Sequence, residues 1–287
     1  MEVSIEKAFD YLINNIHFFN VDFNKETEKG IKPFVELVFF YNLINDNYNY
    51  DKHKRKIIEN YILSQINSND FEKKLKDDVL GISGLSILEE FLIKRGSSKY
   101  RETLNYLIEN KKIDLKIKRT PFRTMDMKYS LNKAQIKDNL SPYKEIFQDT
   151  ILGKKLSLFY YSPSSAYSLT HTIFYITDMG NDYKIDNEIK DISFILQCLI
   201  GMHINNNDLD ILAEVLLCVL FLNKYEVVNN RGIFDFGMKY IQDHQRNNGS
   251  FPAPIVSTSK DKFKRFKEDY HTTLVCLGAL VCFQTKN

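Results

Sequence analysis

Two histidines in this chain have neighbours suited to acid–base chemistry. His171 lies in the run Tyr167-Ser168-Leu169-Thr170-His171-Thr172-Ile173-Phe174-Tyr175-Ile176-Thr177-Asp178, and Asp178 follows it by seven residues, two helical turns along one face. A polar stripe of His171, Tyr175 and Asp178 is more than the packing of an aromatic-rich helix needs. An imidazole titrates near neutrality, so His171 reads as a general acid or base, as a metal ligand, or as a core histidine with satisfied hydrogen bonds. The second histidine, His271, stands in Asp269-Tyr270-His271-Thr272, which opens the last apolar segment, Leu274 to Leu280. Asp178 or Asp269 would orient a histidine ring, and Tyr175 and Tyr270 would line the same site.

Two arginines could supply the counter-charge for a substrate. Lys118-Arg119-Thr120-Pro121-Phe122-Arg123 stands at a helix start, with Asp126 three residues on. Pro121 suits the first turn and Thr120 the cap. The guanidinium forks of Arg119 and Arg123 match a carboxylate or phosphate; the alternative is internal pairing with Glu36 or Glu214. Each of those glutamates stands early in a strongly apolar helix, where it caps free amides, meets an arginine or touches a ligand. Asp208, ahead of Asp210 and Glu214, reads as an N-cap. If a metal binds, His171, Asp178, Asp269 and His271 are its candidate ligands. The cysteines Cys198, Cys218, Cys276 and Cys282 form no CxxC pair and read as free thiols in a reducing compartment.

The elements that must position these groups read as helices. Apolar residues recur every three or four positions over 3–19, 31–46, 53–66, 82–95, 99–111, 121–136, 166–179, 189–203, 208–224, 232–246 and 269–284. Strand-like alternation is weak, so the class is all-α. The chain of 287 residues is 44% apolar, enough for a sizeable core. Thirty-nine basic against 37 acidic side chains leave a net charge of +2 with no basic stripe, which argues against nucleic acid as the main partner. The N-terminus shows no apolar signal core, and the longest apolar stretch, Ile211 to Leu222, is interrupted by Glu214 and too short to span a bilayer. A cytoplasmic protein with no membrane span is expected. Ile136–Ser141 and Tyr160–Ser165 are candidate breaks between halves 1–140 and 141–287.

One further pattern suggests how the helices are arranged. In Gln245-Arg246-Asn247-Asn248-Gly249-Ser250-Phe251, a glutamine at a helix end can bridge carbonyls to the following turn. The glycine can adopt the left-handed backbone that ends the helix, and the aromatic can pack back. With an inward-facing helix beginning at Asp269-Tyr270-His271-Thr272, this order resembles the α/α toroids of terpenoid cyclases and protein prenyltransferases. The resemblance implies one domain over 1–287, an α/α toroid of helical hairpins around a central cavity. His271 matches the zinc-binding histidine of the prenyltransferases, which makes zinc a conceivable cofactor, but Asn247–Phe251 lacks their Asp-x-Cys. The Asp-rich motif of class II cyclases is broken by Ile211. Asp77-Asp78 is followed by Val79-Leu80-Gly81, so the diphosphate-binding magnesium motif is absent too, and His203 stands without the Cys-His-Gly of lanthionine cyclases.

The Arg119–Arg123, Tyr167–Gly180 and Asp269–Leu274 motifs also resemble those of an uncharacterised bacterial family, assigned to the toroid superfamily and often found near natural-product genes. That resemblance runs from about Lys32 to Leu280. It implies a tailoring enzyme, cyclase- or transferase-like, acting on a small-molecule or peptide intermediate with metal-assisted or His/Asp acid–base chemistry. The alternative is a non-catalytic toroid that binds a peptide or partner protein. The loop Pro252 to Phe266 would be a lid over the cavity or a linker.

Overall fold

In the computed structural model, residues 1–21, 27–47, 51–75, 81–184, 192–222, 231–254 and 261–286 are described, and every regular element among them is helical. In chain order these are α1 (Glu2–Asn14), α2 (Thr27–Asn47), α3 (Lys52–Ser68), α4 (Phe71–Leu75), α5 (Gly81–Ile93), α6 (Arg101–Asn105), α7 (Ile113–Lys116), α8 (Pro121–Lys133), α9 (Tyr143–Asp149), α10 (Pro163–Ile176), α11 (Ile192–Asn205), α12 (Leu209–Phe221), α13 (Arg231–Asp243) and α14 (Lys262–Lys286). Each expected segment overlaps a helix within the described residues, but the last helix begins at Lys262 rather than at Asp269, and segment 99–111 divides into α6 and a π-helical turn over Tyr106–Asn110. The short helices α4, α7 and α9 were not legible, because four to seven residues are too few to establish a period.

Every residue of α12 except Asp210 is buried. A helix apolar on all sides needs neighbours on all sides, and α12 packs against α10, α11, α13 and α14. Six helices contact in a closed series: α2 with α5, α5 with α8, α8 with α10, α10 with α12, α12 with α14, and α14 with α2. Early residues meet early ones, as where Arg123 lies over the Tyr167 ring and His271 faces Glu36 and Asp210. Late residues meet late ones, in Asn42–Glu90, Lys133–Asp178 and Phe174–Phe221. The six therefore run in one direction. Of the other helices, α1 lies on α14 and α3, α3 on α2, α4 and α6 on α5, α9 on α8, and α11 and α13 on α12 and each other, while α7 packs on the π-helical turn Tyr106–Asn110. One hydrophobic core draws on both halves of the chain, from Ile5 to Cys282.

The candidate break at Ile136–Ser141 is pinned rather than loose. Asn139 donates its backbone N–H to Asp114 Oδ2 at 2.7 Å, and Lys128 pairs with Asp138 at 2.8 Å. Two expected helices end earlier than their apolar pattern. Helix α8 stops at Lys133, where Ile136 N–H reaches back to Leu131 O and Gln135 takes a φ of 58°. Helix α10 stops at Ile176, and Asp178, Met179 and Gly180 follow with φ of 46°, 53° and 86°. Thr120 stands at the N-cap of α8 but its side chain caps nothing. Of the proposed lid, residues 255–260 lie outside the described residues, while Lys262–Phe266 is already α14 rather than loop. No described helix is long and apolar enough to cross a membrane. All four cysteines are free, and three of them are buried.

The Gln-x3-Gly-x-Phe pattern acts as a staple between chain ends. Gln245 Nε2 donates to Gly249 O at 3.0 Å and to Ser4 O on α1 at 2.8 Å. Because α13 has already ended at Asp243, the glycine closes the next turn, through Gly249 N–H to Arg246 O, rather than the helix. Its φ is 91°, and a Cβ there would overlap the carbonyl of Lys7. Phe251 is fully buried and its N–H donates to Thr273 Oγ1 on α14 at 3.0 Å. Gly249→Ala should lower the unfolding free energy by roughly 2–4 kcal/mol, and Gln245→Ala by about 1–3 kcal/mol. Urea denaturation at fixed pH measures both, and unchanged midpoints would show that the staple does not hold the ends together.

Candidate functional site

Five of the six serially packed helices send ionisable side chains to one place. Helix α14 contributes His271, whose Nδ1 lies 3.4 Å from Glu36 Oε2 on α2 and whose Nε2 lies 3.6 Å from Asp210 Oδ2 on α12. Tyr270 Oη donates to Glu36 Oε2 at 2.8 Å, and Lys32 approaches Glu36 Oε1 at 3.7 Å. Burial alone would drive the proton off His271. The carboxylates of Glu36, Asp210 and Glu214 outweigh burial and raise its pKa to about 9, so the ring is cationic at neutral pH. Burial pushes Glu36 upward, but His271, Lys32 and Tyr270 together hold it below its ordinary range. For Asp210 burial prevails over His271 and Thr272, and its pKa is raised.

Glu214, one turn along α12 from Asp210, is only 2% exposed. Its Oε2 lies 2.5 Å from Thr170 Oγ1 and 3.6 Å from His171 Nδ1 on α10. Burial and the neighbouring Asp210 raise its pKa far above the usual carboxylate range. His171 is in the opposite state from His271. Its Nδ1 is 3.0 Å from Tyr167 O, and because a carbonyl only accepts, Nδ1 carries the proton and Nε2 the lone pair. Burial, with help from Arg123 and His271, lowers its pKa to about 3 against the pull of that carbonyl and of Glu36. Aromatic rings surround it: Tyr167 at 3.8 Å, Phe174 at 5.4 Å, and Phe122 and Tyr175 at 6.1 Å between centroids.

Helix α8 completes the cluster. Asp126 Oδ1 accepts from Tyr175 Oη at 3.1 Å, while Arg123 Nη1 stands 3.9 Å from Oδ2. Burial raises the Asp126 pKa in spite of Arg123, Tyr175, Arg119 and Ser83. Arg119 Nη1 donates to Asp114 O and Ile117 O at 3.3 Å each. Side-chain exposure is 14% for His171, 21% for Asp126, 23% for Asp210, 25% for Glu36, 30% for His271 and 52% for Arg123. The cluster thus reaches solvent, with Glu214 at its floor.

Seven of the nine residues singled out by chemistry converge here: His171, His271, Tyr175, Tyr270, Glu214, Arg119 and Arg123. Asp178 does not join them. It lies past the end of α10 and pairs with Lys133 at 2.6 Å. Asp269 does not orient His271 either. It forms an ion pair with Arg246 and accepts the Ala253 N–H at 3.3 Å, holding the staple loop to α14. Glu36 and Glu214 meet histidine and threonine, not Arg119 or Arg123. The orienting carboxylates are Glu36 and Asp210, which the sequence offered only as a lone acid on an apolar helix and as part of an Asp-rich run. Asp208 is the expected N-cap, accepting from Ile211 N–H at 3.3 Å, and it also meets His203 Nδ1 at 3.1 Å. The four metal candidates His171, Asp178, Asp269 and His271 do not share one place, and among the described residues no three His, Cys, Asp or Glu side chains are arranged to hold a metal ion.

Imidazole NMR should find His271 protonated at pH 7 and titrating near 9, and His171 neutral, with Nδ1 protonated, down to about pH 4. Glu36→Gln should lower the His271 value by at least about one unit; an unshifted value would remove Glu36 as its partner. Folding raises the His271 pKa from 6.5, so its stabilisation is fully present below that value and is lost as pH climbs through about 9. His271→Gln should flatten the decline of stability over that window, read from urea midpoints. Glu214, whose pKa also rises on folding, leaves a residual decline that begins near its unfolded value of 4.5.

Over residues 5–281 the chain matches the family described as Domain of unknown function (DUF6895), and it belongs to that family. No curated protein and no solved structure matches it.

Proposed function

We propose, with membership of a family of unassigned activity as the premise, that this chain is an α/α toroid whose six parallel helices enclose an acid–base active site. In this reading it is a tailoring enzyme, cyclase- or transferase-like, acting on a small-molecule or peptide natural-product intermediate. The closed series of contacts and the common direction of its members support the toroid. The chemistry rests on one observation: a cationic His271 bracketed by Glu36 and Asp210, beside a neutral His171 and the floor carboxyl Glu214. Groups whose surroundings drive their pKa values apart divide acid and base roles between them.

His271 is the proton donor, held charged by Glu36. Asp210 faces its Nε2 and takes the proton back, and the Nε2 lone pair of His171 accepts a hydrogen bond from the substrate. Phe122, Tyr167 and Phe174 form a wall against which cationic character in a substrate is stabilised. A second reading is favoured by the pairs Tyr270–Glu36, Thr170–Glu214 and Tyr175–Asp126, which satisfy one another without a ligand. It makes the chain a non-catalytic toroid that binds a peptide or partner protein.

Acid–base catalysis at carbon exchanges protons with solvent, so a mixture of metabolites can serve in place of a single defined substrate. Protein incubated in D2O with a small-molecule extract of its native host should place deuterium in at least one metabolite. His271→Gln and Asp210→Asn should each slow that labelling by roughly 10²–10⁴-fold. Labelling that is the same with and without the protein would leave the binding reading.

A further inference from the structure

The arginine side of the site has more positive charge than its own carboxylates engage. Arg119 fixes its guanidinium plane through Nη1 on two backbone carbonyls, Asp114 O and Ile117 O. Its Nη2 is buried and has no hydrogen-bond partner, and among the described residues no carboxylate comes within ion-pairing distance of it. The nearby Asp114 carboxylate is occupied by Asn139, through the backbone N–H at 2.7 Å and the side-chain amide at 3.1 Å. Arg123 lies over Phe122 at 5.2 Å and Tyr167 at 5.8 Å and stands 3.9 Å from Asp126, too far for a hydrogen bond. Asp126 has Tyr175 on its other oxygen. Both guanidinium groups therefore flank one carboxylate that hydrogen-bonds neither. A buried N–H with no acceptor is disfavoured by about 1–3 kcal/mol unless a ligand supplies one.

Two further features point the same way. The six serially packed helices run in one direction, so their positive N-terminal ends lie on the side of the molecule where Arg119 and Arg123 stand. Across the site, His271 lies between Glu36 and Asp210 and Lys32 stands beside Glu36, so both of those carboxylates already face a cation, although Asp210 Oδ1 is buried without a hydrogen-bond partner. Next to Arg123, Phe122 and Tyr167 offer apolar surface and pack edge to face on each other.

We infer that the site takes an organic oxyanion, a carboxylate or phosphate ester with an apolar body, seated with its anionic group on Arg119 and Arg123 and its body against Phe122 and Tyr167. The inference rests on the acid–base reading only in treating that ligand as the substrate. Arg119 then supplies the fixed donor and Arg123 a fork pre-set by its aromatic support. The remainder of the ligand extends toward His271.

Calorimetric titration with benzoate, phenyl phosphate, benzyl alcohol and benzylamine tests this, on wild type and on Arg119→Gln, Arg123→Gln and Arg123→Lys. At least one of the two anions should bind, at least about tenfold more tightly than the alcohol or the amine, and should lose at least about tenfold in each Gln variant. Which anion binds more tightly separates carboxylate from phosphate recognition. Arg123→Lys should recover part of the loss, since charge remains but the fork is gone. Arg123 is half exposed, so its variants remain informative if Arg119→Gln fails to fold. Anions that bind no better than benzyl alcohol, or equally well in the Gln variants, would overturn the inference. Anion binding without deuterium labelling would keep this inference and sink the catalytic reading; labelling without anion binding would do the reverse.

Discussion

Charge buried among apolar helices has to be matched, and that constraint organises this molecule. An ionised group taken from water into a protein interior is penalised by several kcal/mol unless an opposite charge or hydrogen bonds meet it. Glu36 is matched by His271, Tyr270 and Lys32. Glu214, which has no cation in contact, is driven toward its protonated form instead. His171, enclosed by four aromatic rings, stays neutral for the same reason. Two imidazoles in one small volume thus carry different charges without any difference in their own chemistry. The partners, contributed by different helices, decide the outcome.

Those partners are in place only because the helices close on one another. Glu36 and Tyr270 are 234 residues apart in sequence, and no local feature brings them together. They meet because α2 and α14 pack side by side, and α14 is in turn held by the staple through Phe251 and Thr273 and through Asp269 and Arg246. The residues with apparent chemical promise near the C-terminus therefore divide into two jobs. Asp269 fastens the helix, and His271, two residues on, faces the site.

That division shows why some of the site was legible in the sequence and some was not. The helices follow from apolar periodicity, and His171, His271, Arg119 and Arg123 follow from residue type on such helices. Asp269 misled because adjacency in sequence is not adjacency on a helix: residues two apart point to nearly opposite faces. Asp178 misled because the spacing argument assumed an unbroken helix, whereas three successive left-handed residues turn the chain after Ile176. Glu36 and Asp210 were on view as lone acids in apolar helices, but their service to His271 depends on tertiary packing that no spacing encodes. Asp126 was visible only as a neighbour of Arg123, and its bond to Tyr175 spans two helices.

The closed series of contacts also bears on how the chain comes to be folded. One side of α2 belongs to α14, the last helix described, so most of the polypeptide must be synthesised before α2 has both of its neighbours. Until then the flank of α2 that carries Phe40 and the flank of α12 that carries Leu217, which meet at Gly278 of α14, lack that cover. Contacts that span nearly the whole chain form slowly and leave such surfaces available to wrong partners. During translation the series of contacts stays open at α2 and at α12 until α14 arrives, and the same helix that completes the site also covers both exposed flanks.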